Sequence, residues 1–275
     1  MVWLLLLLML SLLLRAQVTM EAASAACHLF VTAVLPGLFP YMVLSQLLIS
    51  RVKRLSPALV MALGWGGGSP TGARLVRLGH FSRREQVRLL VSCATMSPMF
   101  LLGTLGGWLE SPLAGAVCLA SVIIGGWVTG RIADSCVHTS NSEFRIPNSE
   151  FSTLSFGEAV ESSARTMLLV CGTMVMLRVF AALAGEVLPD WAALPVTTLL
   201  EVTTGAASIA ALPLPLPWRT ALLSGATGFG GAAVIMQNRA VAGDDSLPLG
   251  AQIGWQALHG GISFLIALGL MWFIC

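Results

Sequence analysis

Residues 63–74, with the sequence LGWGGGSPTGAR, constrain most strongly what this chain can fold into. The stretch interrupts an apolar run with glycines, a proline and two hydroxyl side chains, and it ends in Arg74. Glycine and proline do not sustain a regular helix, and irregular backbone inside a bilayer persists only where protein or a water-filled cavity surrounds it. Broken helices of this kind hold the substrate in secondary transporters, so the stretch predicts a substrate site.

The composition indicates an integral membrane protein with several spans in the lipid bilayer. Of the 275 residues, 56% are hydrophobic and only 10% are charged, whereas a soluble domain carries about 25% charged residues. No soluble basic face is present, which excludes a nucleic-acid partner. The six cysteines show no CxxC pairing and the four histidines show no metal-ligand spacing. Because no catalytic motif is present either, we expect no metal, no cofactor and no enzyme activity.

Apolar length and flanking charge predict a polytopic all-α protein with about seven full spans. The first of them is shorter than the ~20 residues that a span prefers, and a cleaved signal peptide stays open as the alternative to an uncleaved span. Two GxxxG pairs, Gly103 with Gly107 and Gly126 with Gly130, predict close helix contacts. The predicted spans are residues 2–14, 27–49, 89–109, 113–130, 166–187, 219–236 and 249–274.

Two further apolar segments are predicted to be re-entrant. Residues 57–73 are flanked on both sides by basic clusters, and the positive-inside rule places both clusters in the cytoplasm. Residues 191–217 are flanked by Glu186 and Asp190 and by a proline-rich stretch, so we expect them to enter from outside. One extra span, residues 113–130, separates the halves, and an odd number of crossings inverts the second repeat relative to the first.

The chain is thus predicted to contain two inverted repeats, each with a broken or re-entrant helical segment. A polar segment between them carries the near-duplicates NSEF at 141–144 and 148–151, which is typical of a flexible linker. The predicted units are an N-terminal span or signal anchor (1–19), repeat 1 (20–110), a connecting span (111–131), a flexible cytoplasmic linker (132–157), repeat 2 (158–240) and a C-terminal span (241–275).

Candidate substrate-binding residues cluster at the breaks and at the helix interruptions that follow them. Arg74 offers a guanidinium for a carboxylate, or serves only as a cytoplasmic topology residue. Glu201, the only acid within the second broken segment, is suited to carry a coupling H+ or Na+ or to pair with Arg74, or else lies exposed on an outer loop. Hydroxyls and free amides at half-helix ends favour an anion, although small residues also serve helix packing. The candidates are Ser69, Pro70, Thr71, Gly72, Arg74, Ser97, Pro98, Glu201, Thr203, Thr204, Gly205, Gly228, Gly230, Gly231 and Gln237.

Six features occur in order along the chain: LPGLFP at 35–40, GGSPTGAR at 67–74, SPMF at 97–100, LEVTTG at 200–205, FGG at 229–231, and Gln237. Together they resemble the YlbJ-type sporulation integral membrane proteins, within the nucleoside-recognition or Gate-domain family. The resemblance covers residues 20–273. It implies inverted repeats with re-entrant hairpins, because the family is distantly similar to concentrative nucleoside transporters. It also implies a role in spore formation, in the bacterial cell membrane or in a forespore or mother-cell membrane.

These features predict secondary transport of a small solute, and the resemblance implies an anion such as dipicolinate. The coupling ion, H+ or Na+, stays open. Two alternatives remain: a nucleoside transporter, although no aromatic-lined base pocket is apparent, and a non-transporting membrane organiser that recruits a spore-assembly partner. Deletion of residues 139–153 abolishes function under the organiser hypothesis and is mild under the transport hypothesis. A homo-oligomer is compatible with either.

Overall fold

The computed structural model describes residues 2–52, 55–79, 81–137, 154–243 and 247–274. Within these ranges the regular elements are helices and no strand occurs, which confirms the all-α prediction. The NSEF duplication, the segment 139–153 and the basic residues Lys53 and Arg54 lie outside the described residues. The helices are α1 (Val2–Leu14), α2 (Ala16–Ile49), α3 (Pro57–Gly67), α4 (Thr71–Leu78), α5 (Arg83–Ser92), α6 (98–108), α7 (Pro112–Cys136), α8 (Phe156–Gly185), α9 (Asp190–Leu200), α10 (Val202–Ala210), α11 (Leu216–Phe229), α12 (Gly231–Ala242) and α13 (Leu249–Ile274).

Four of these helices, α2, α7, α8 and α13, are long and apolar enough to cross a membrane. The other three predicted spans take a different form. Helix α1 has 13 residues, or about 20 Å at 1.5 Å per residue, which is shorter than the ~30 Å hydrocarbon core. Predicted spans 89–109 and 219–236 are divided, because Pro98 disfavours helix at the residue before it and Gly230 adopts a left-handed conformation.

Helix α2 begins at Ala16, well before the predicted start at residue 27. A π-helical turn over Phe30–Val34 lies directly ahead of Pro36. Proline has no N–H and its ring clashes with the carbonyl four residues earlier, and a widened turn is a usual way to absorb such a defect. The helix therefore continues for 34 residues through Pro36 and Pro40.

The order of elements is the same in the two halves of the chain. In each half a long helix, α2 or α8, precedes two pairs of short helices, and a second long helix, α7 or α13, follows them. The breaks between paired helices lie at 68–70 and 93–97 in the first half. In the second half they lie at Glu201 and Gly230. The inversion of one half relative to the other and the re-entrant course of the first pair in each half stay predictions.

Helix α13 packs against α7 and α11, and a core of buried apolar side chains comes from α6, α7, α10 and α11. Gly126 on α7 makes the predicted close contact, since a Cβ there would lie 2.9 Å from the carbonyl oxygen of Ser92 on α5. The other GxxxG pair does not. Apart from their own helix, no heavy atom of the described residues lies within 4 Å of a Cβ built on Gly103 or Gly107. That helix contact is therefore absent from the described part of the chain.

Candidate functional site

The break between α3 and α4 crosses the break between α5 and α6. The Ser69 amide donates a hydrogen bond to the Thr95 carbonyl oxygen at 2.6 Å. Gly68 has a φ of +64°, in the left-handed region that favours glycine. A Cβ on Gly68 would lie 2.5 Å from the Ser97 nitrogen. The two interrupted helix pairs therefore meet backbone to backbone, and only glycine fits at the crossing.

The second half contains an equivalent crossing, between the α9–α10 break and the α11–α12 break. Gly230 and Gly231 have φ values of +77° and +72°, in the left-handed region that residues other than glycine rarely adopt. A Cβ on Gly231 would lie 3.1 Å from the Thr198 carbonyl oxygen. These two candidate residues therefore shape the backbone that lets α12 begin beside the end of α9.

Glu201 stands in the second crossing, between α9 and α10, and its residue surface is only 1% exposed. The alternative of an exposed acid on an outer loop is therefore wrong. Its carboxylate accepts hydrogen bonds from the Thr203 amide at 2.9 Å and from the Thr204 amide at 2.7 Å. The side chain thus caps the N-terminus of α10, where the amides and the helix dipole favour a negative charge.

A cavity of about 40 Å³ lies where the two crossings face each other. A volume of roughly 10–15 Å³ suffices for one water molecule, so the cavity admits a few water-sized groups in this conformation. Its other walls are apolar and come from both halves, for example Leu38 of α2, Met174 of α8 and Val234 of α12. The polar lining residues, all of them predicted candidates, are Ser69, Ser97, Glu201, Thr203 and Gln237.

Side-chain hydrogen bonds hold the walls of this cavity together. The Ser69 hydroxyl donates to Asn238 Oδ1 at 2.5 Å, and Gln237 Nε2 donates to Thr173 Oγ1 at 2.8 Å. Asn238 and Thr173 are functional candidates that sequence reasoning misses. The signal for Asn238 is its position beside Gln237, because two consecutive amides within an apolar helix are costly unless each finds a partner.

Arg74 does not reach the cavity. Its guanidinium Nη2 donates a 2.7 Å hydrogen bond to the hydroxyl of Ser162 on α8, while the Glu201 carboxylate is held by backbone amides. The proposed pair between Arg74 and Glu201 is therefore not formed in this conformation. One turn further along α4, Arg77 donates to the Val241 carbonyl oxygen of α12. The basic face of α4 thus ties this helix to the second half.

Three candidate glycines lie at close helix contacts and do not line the cavity. Gly72 faces the end of α5, Gly205 faces α9 and Gly228 faces α13. In each case a Cβ would collide with an atom of the neighbouring element. Their positions agree with the alternative role given above for small residues, which is to let helices approach closely.

The remaining candidates surround the first break or the cap of α10. Pro70 follows a cis peptide bond, and Pro98 stands at the start of α6. Thr71 is buried, and its hydroxyl oxygen has no hydrogen-bond partner among the described residues. Thr204 supplies an amide to Glu201, and its side chain lines a separate open depression with residues of α2.

Comparisons with known proteins find a relative of this chain by sequence similarity. No family model and no solved structure matches the chain. The chain is similar to the sporulation integral membrane protein YlbJ of Bacillus subtilis (strain 168), with 25% identity over 73% of this chain. It spans 58% of the length of that relative. The four membrane-crossing helices and this relative identify an integral membrane protein. This similarity agrees with the resemblance to the YlbJ-type sporulation integral membrane proteins that the ordered motifs predict.

Proposed function

We propose that this chain is a secondary transporter that carries a small anion, with dipicolinate as the first candidate, across a membrane of a spore-forming cell. The location of the cavity supports this proposal. Polar groups from the breaks of both halves line it within an otherwise apolar protein, and secondary transporters bind their substrates at broken helices between repeats. The relative is named as a sporulation protein, which supports spore formation as the setting.

The observation that carries the proposal is the position of the Glu201 carboxylate at the N-terminus of α10. Its two oxygens occupy the Thr203 and Thr204 amides, at a helix end where the dipole also attracts a negative charge. A carboxylate of the solute has the same shape and charge as this side-chain carboxylate. We propose that the solute replaces Glu201 on these two amides during transport.

The charge of the cavity determines which coupling ion is transported together with the anion. Glu201 lines the cavity, and no guanidinium is found among its described lining residues. An anion therefore meets repulsion from an ionised Glu201, and this repulsion is large where the surroundings are apolar. Protonation of Glu201 removes the repulsion and weakens the hold of its carboxyl group on the two amides. The proposed coupling ion is therefore H+, with Na+ beside Glu201 as the alternative.

Alternating access is proposed to arise from rocking of the two halves as inverted repeats. Within the first half, the backbone hydrogen bond from Ser69 to Thr95 joins the two breaks. We therefore expect the two breaks to stay in contact when this half moves as a unit. Between the halves, α13 packs against α7, and Arg74 donates one side-chain hydrogen bond to Ser162, so rocking has to slide helix contacts as well as exchange such bonds. A hydrogen bond to a charged group contributes about 1.5–3 kcal/mol net, and water replaces the lost partner when the halves move. The proposed re-entrant pairs α3–α4 and α9–α10 then open the cavity to opposite sides.

Solute flux into proteoliposomes that contain the full chain tests this proposal. Dipicolinate, other small dicarboxylates and nucleosides are compared under an inward proton gradient and under an inward Na+ gradient. We expect dipicolinate uptake that the proton gradient stimulates and the Na+ gradient does not. Glu201→Gln, which cannot bind a proton, is expected to lose the stimulation. Glu161→Gln, at an exposed acid of α8, is the matched control and should keep it.

Each outcome of the flux experiment has a distinct meaning. Absence of flux for every solute, with protein shown to be folded and inserted, contradicts transport and favours the membrane organiser. Nucleoside flux without anion flux contradicts the anion proposal and supports a nucleoside transporter. Equal proton stimulation in Glu201→Gln and in the unmodified chain contradicts the role of Glu201 as the proton carrier.

A further inference from the structure

A second pocket lies apart from the central cavity, where α3 begins. It has a volume of about 380 Å³ and opens between the N-terminus of α3, the end of α5 and the C-terminal part of α7. No acidic residue is present among its described lining residues. The residues that bear on its chemistry are Ser56, Pro57, Arg88, Ser92, Trp127 and Arg131.

Arg88 and Arg131 give this pocket two positive charges. Arg88 Nε is buried and has no hydrogen-bond partner among the described residues. By contrast, the nearby Arg84 forms an ion pair with Asp134, with 2.9 Å between Nε and Oδ1. A buried donor that stays unpaired costs free energy, and the cost is larger for a charged group. The arrangement therefore favours a hydrogen-bond acceptor at Arg88, and a negatively charged one most strongly.

Two uncharged features also favour an anion in the pocket. Ser92 is 1% exposed, and its hydroxyl has no hydrogen-bond partner among the described residues. Helix α3 begins at Pro57 and has 11 residues, so the positive end of its dipole lies at the pocket. The Ser56 hydroxyl accepts the Leu59 amide at 3.2 Å, which fixes this helix end at the rim.

The depth of the pocket indicates a lipid rather than a dissolved anion. Helix α7 has 25 residues, about 37 Å at 1.5 Å per residue, and exceeds the ~30 Å hydrocarbon core. Arg131 directly follows the predicted span 113–130, so we expect it at the level of the headgroups. Trp127, one turn deeper, is 45% exposed, and its ring centroid lies 5.4 Å from Arg131 Cζ. Tryptophan at this depth is typical of the boundary between headgroups and acyl chains.

We infer that this pocket binds the phosphate headgroup of an anionic phospholipid. Arg88 and Arg131 bind the phosphate oxygens, the Ser92 hydroxyl donates a further hydrogen bond, and Trp127 packs against the glycerol and the upper acyl chain. Basic pockets between membrane-spanning helices on the cytoplasmic side bind anionic headgroups, and the positive-inside rule predicts that side here. The bound lipid joins α3, the first predicted re-entrant helix, to α5 and α7.

Native mass spectrometry of the full chain in detergent tests this site. Binding of phosphatidylglycerol is compared with binding of phosphatidylcholine that has the same acyl chains. Arg88→Gln/Arg131→Gln is expected to weaken phosphatidylglycerol binding at least about tenfold, the effect of one lost charge-assisted hydrogen bond. The matched control Arg51→Gln/Arg165→Gln removes two charges from exposed side chains outside the pocket. It should leave phosphatidylglycerol binding unchanged.

Further measurements distinguish loss of lipid binding from a folding defect, and a bound lipid from a bound soluble phosphate. Arg131→Gln alone changes an exposed side chain, preserves folding, and is expected to weaken binding about threefold, a smaller effect than that of the double variant. Unchanged phosphatidylglycerol binding in a folded double variant overturns the inference. Displacement of the lipid by millimolar inorganic phosphate or glycerol phosphate also overturns it, because the ligand would then be a soluble phosphate. Equal binding of phosphatidylcholine has the same consequence.

Discussion

The Ser69 hydroxyl donates a 2.5 Å hydrogen bond to Asn238 Oδ1 and thereby joins the first break to α12 in the other half of the chain. Ser69 lines the central cavity, and Asn238 is buried. A buried polar pair is stable while both partners are present, because loss of one leaves the other without a hydrogen bond. This bond is therefore a direct energetic link between the two halves at the candidate site.

A double-mutant cycle tests this link. Asn238→Ala leaves the Ser69 hydroxyl unpaired and is expected to cost about 1–3 kcal/mol of unfolding free energy. The double variant Ser69→Ala/Asn238→Ala should cost less than the sum of the two single variants, with a coupling of about 0.5–3 kcal/mol. Thermal unfolding in one detergent provides the measurement. Strictly additive losses would contradict the link.

The left-handed backbone at Gly231 predicts that adding a single methyl group there destabilises the folded protein. Gly231→Ala forces alanine into a φ of +72°, which costs about 1–2 kcal/mol, and brings its Cβ within 3.1 Å of a carbonyl oxygen. The melting temperature should fall. Gly261→Ala on α13 is the control, since that Cβ meets no other heavy atom of the described residues within 4 Å. Alanine is a better helix former than glycine, so the control should not be destabilised.

Two acidic helix caps differ in burial, and this difference predicts different costs for the same change. Glu201 is buried and accepts two amides, whereas Glu158 caps α8 at the exposed surface. Glu201→Gln leaves one buried amide poorly paired and should lower the unfolding free energy by about 1–3 kcal/mol. Glu158→Gln should cost less, because water replaces its bond. Equal melting temperatures for Glu201→Gln and the unmodified chain would contradict this cost.

Cysteine labelling tests the predicted inversion of the halves. In a chain whose native cysteines are replaced by alanine, Ser56→Cys should react with a membrane-impermeant maleimide from the cytoplasmic side. Leu214→Cys, at a residue that is 39% exposed beyond α10, should react from outside. Glu161→Cys at the exposed start of α8 is the cytoplasmic reference. Reaction of Ser56→Cys and Leu214→Cys from the same side would refute the inverted arrangement.

Features that depend on local backbone chemistry could be predicted from the sequence. The first break follows from adjacent glycines and Pro70, and the break at Gly230 follows from a glycine run, because glycine and proline disfavour regular helix. Glu201 stood out because a lone acid in an apolar segment is costly unless something stabilises it. In the structure it lines the cavity together with Ser69 and Gln237.

Features that depend on the rotation of a helix about its axis could not be predicted. Arg74 directly follows the first break, yet its side chain bonds to Ser162 of α8 and not to the cavity. The pairs Gly103 with Gly107 and Gly126 with Gly130 have identical spacing, but only the second meets a neighbouring helix. Tertiary packing decides which side of a helix is covered, and a single sequence carries little information about it.

The small central cavity has a consequence for how well a membrane retains an accumulated solute. With about 40 Å³ of free space, the core admits a few water molecules but no ring-bearing dicarboxylate. Under the proposed transport function, a solute concentrated on one side therefore finds no passage back through this cavity in the present conformation. Its escape requires the halves to separate first, and the cost of breaking the bonds between them limits the leak.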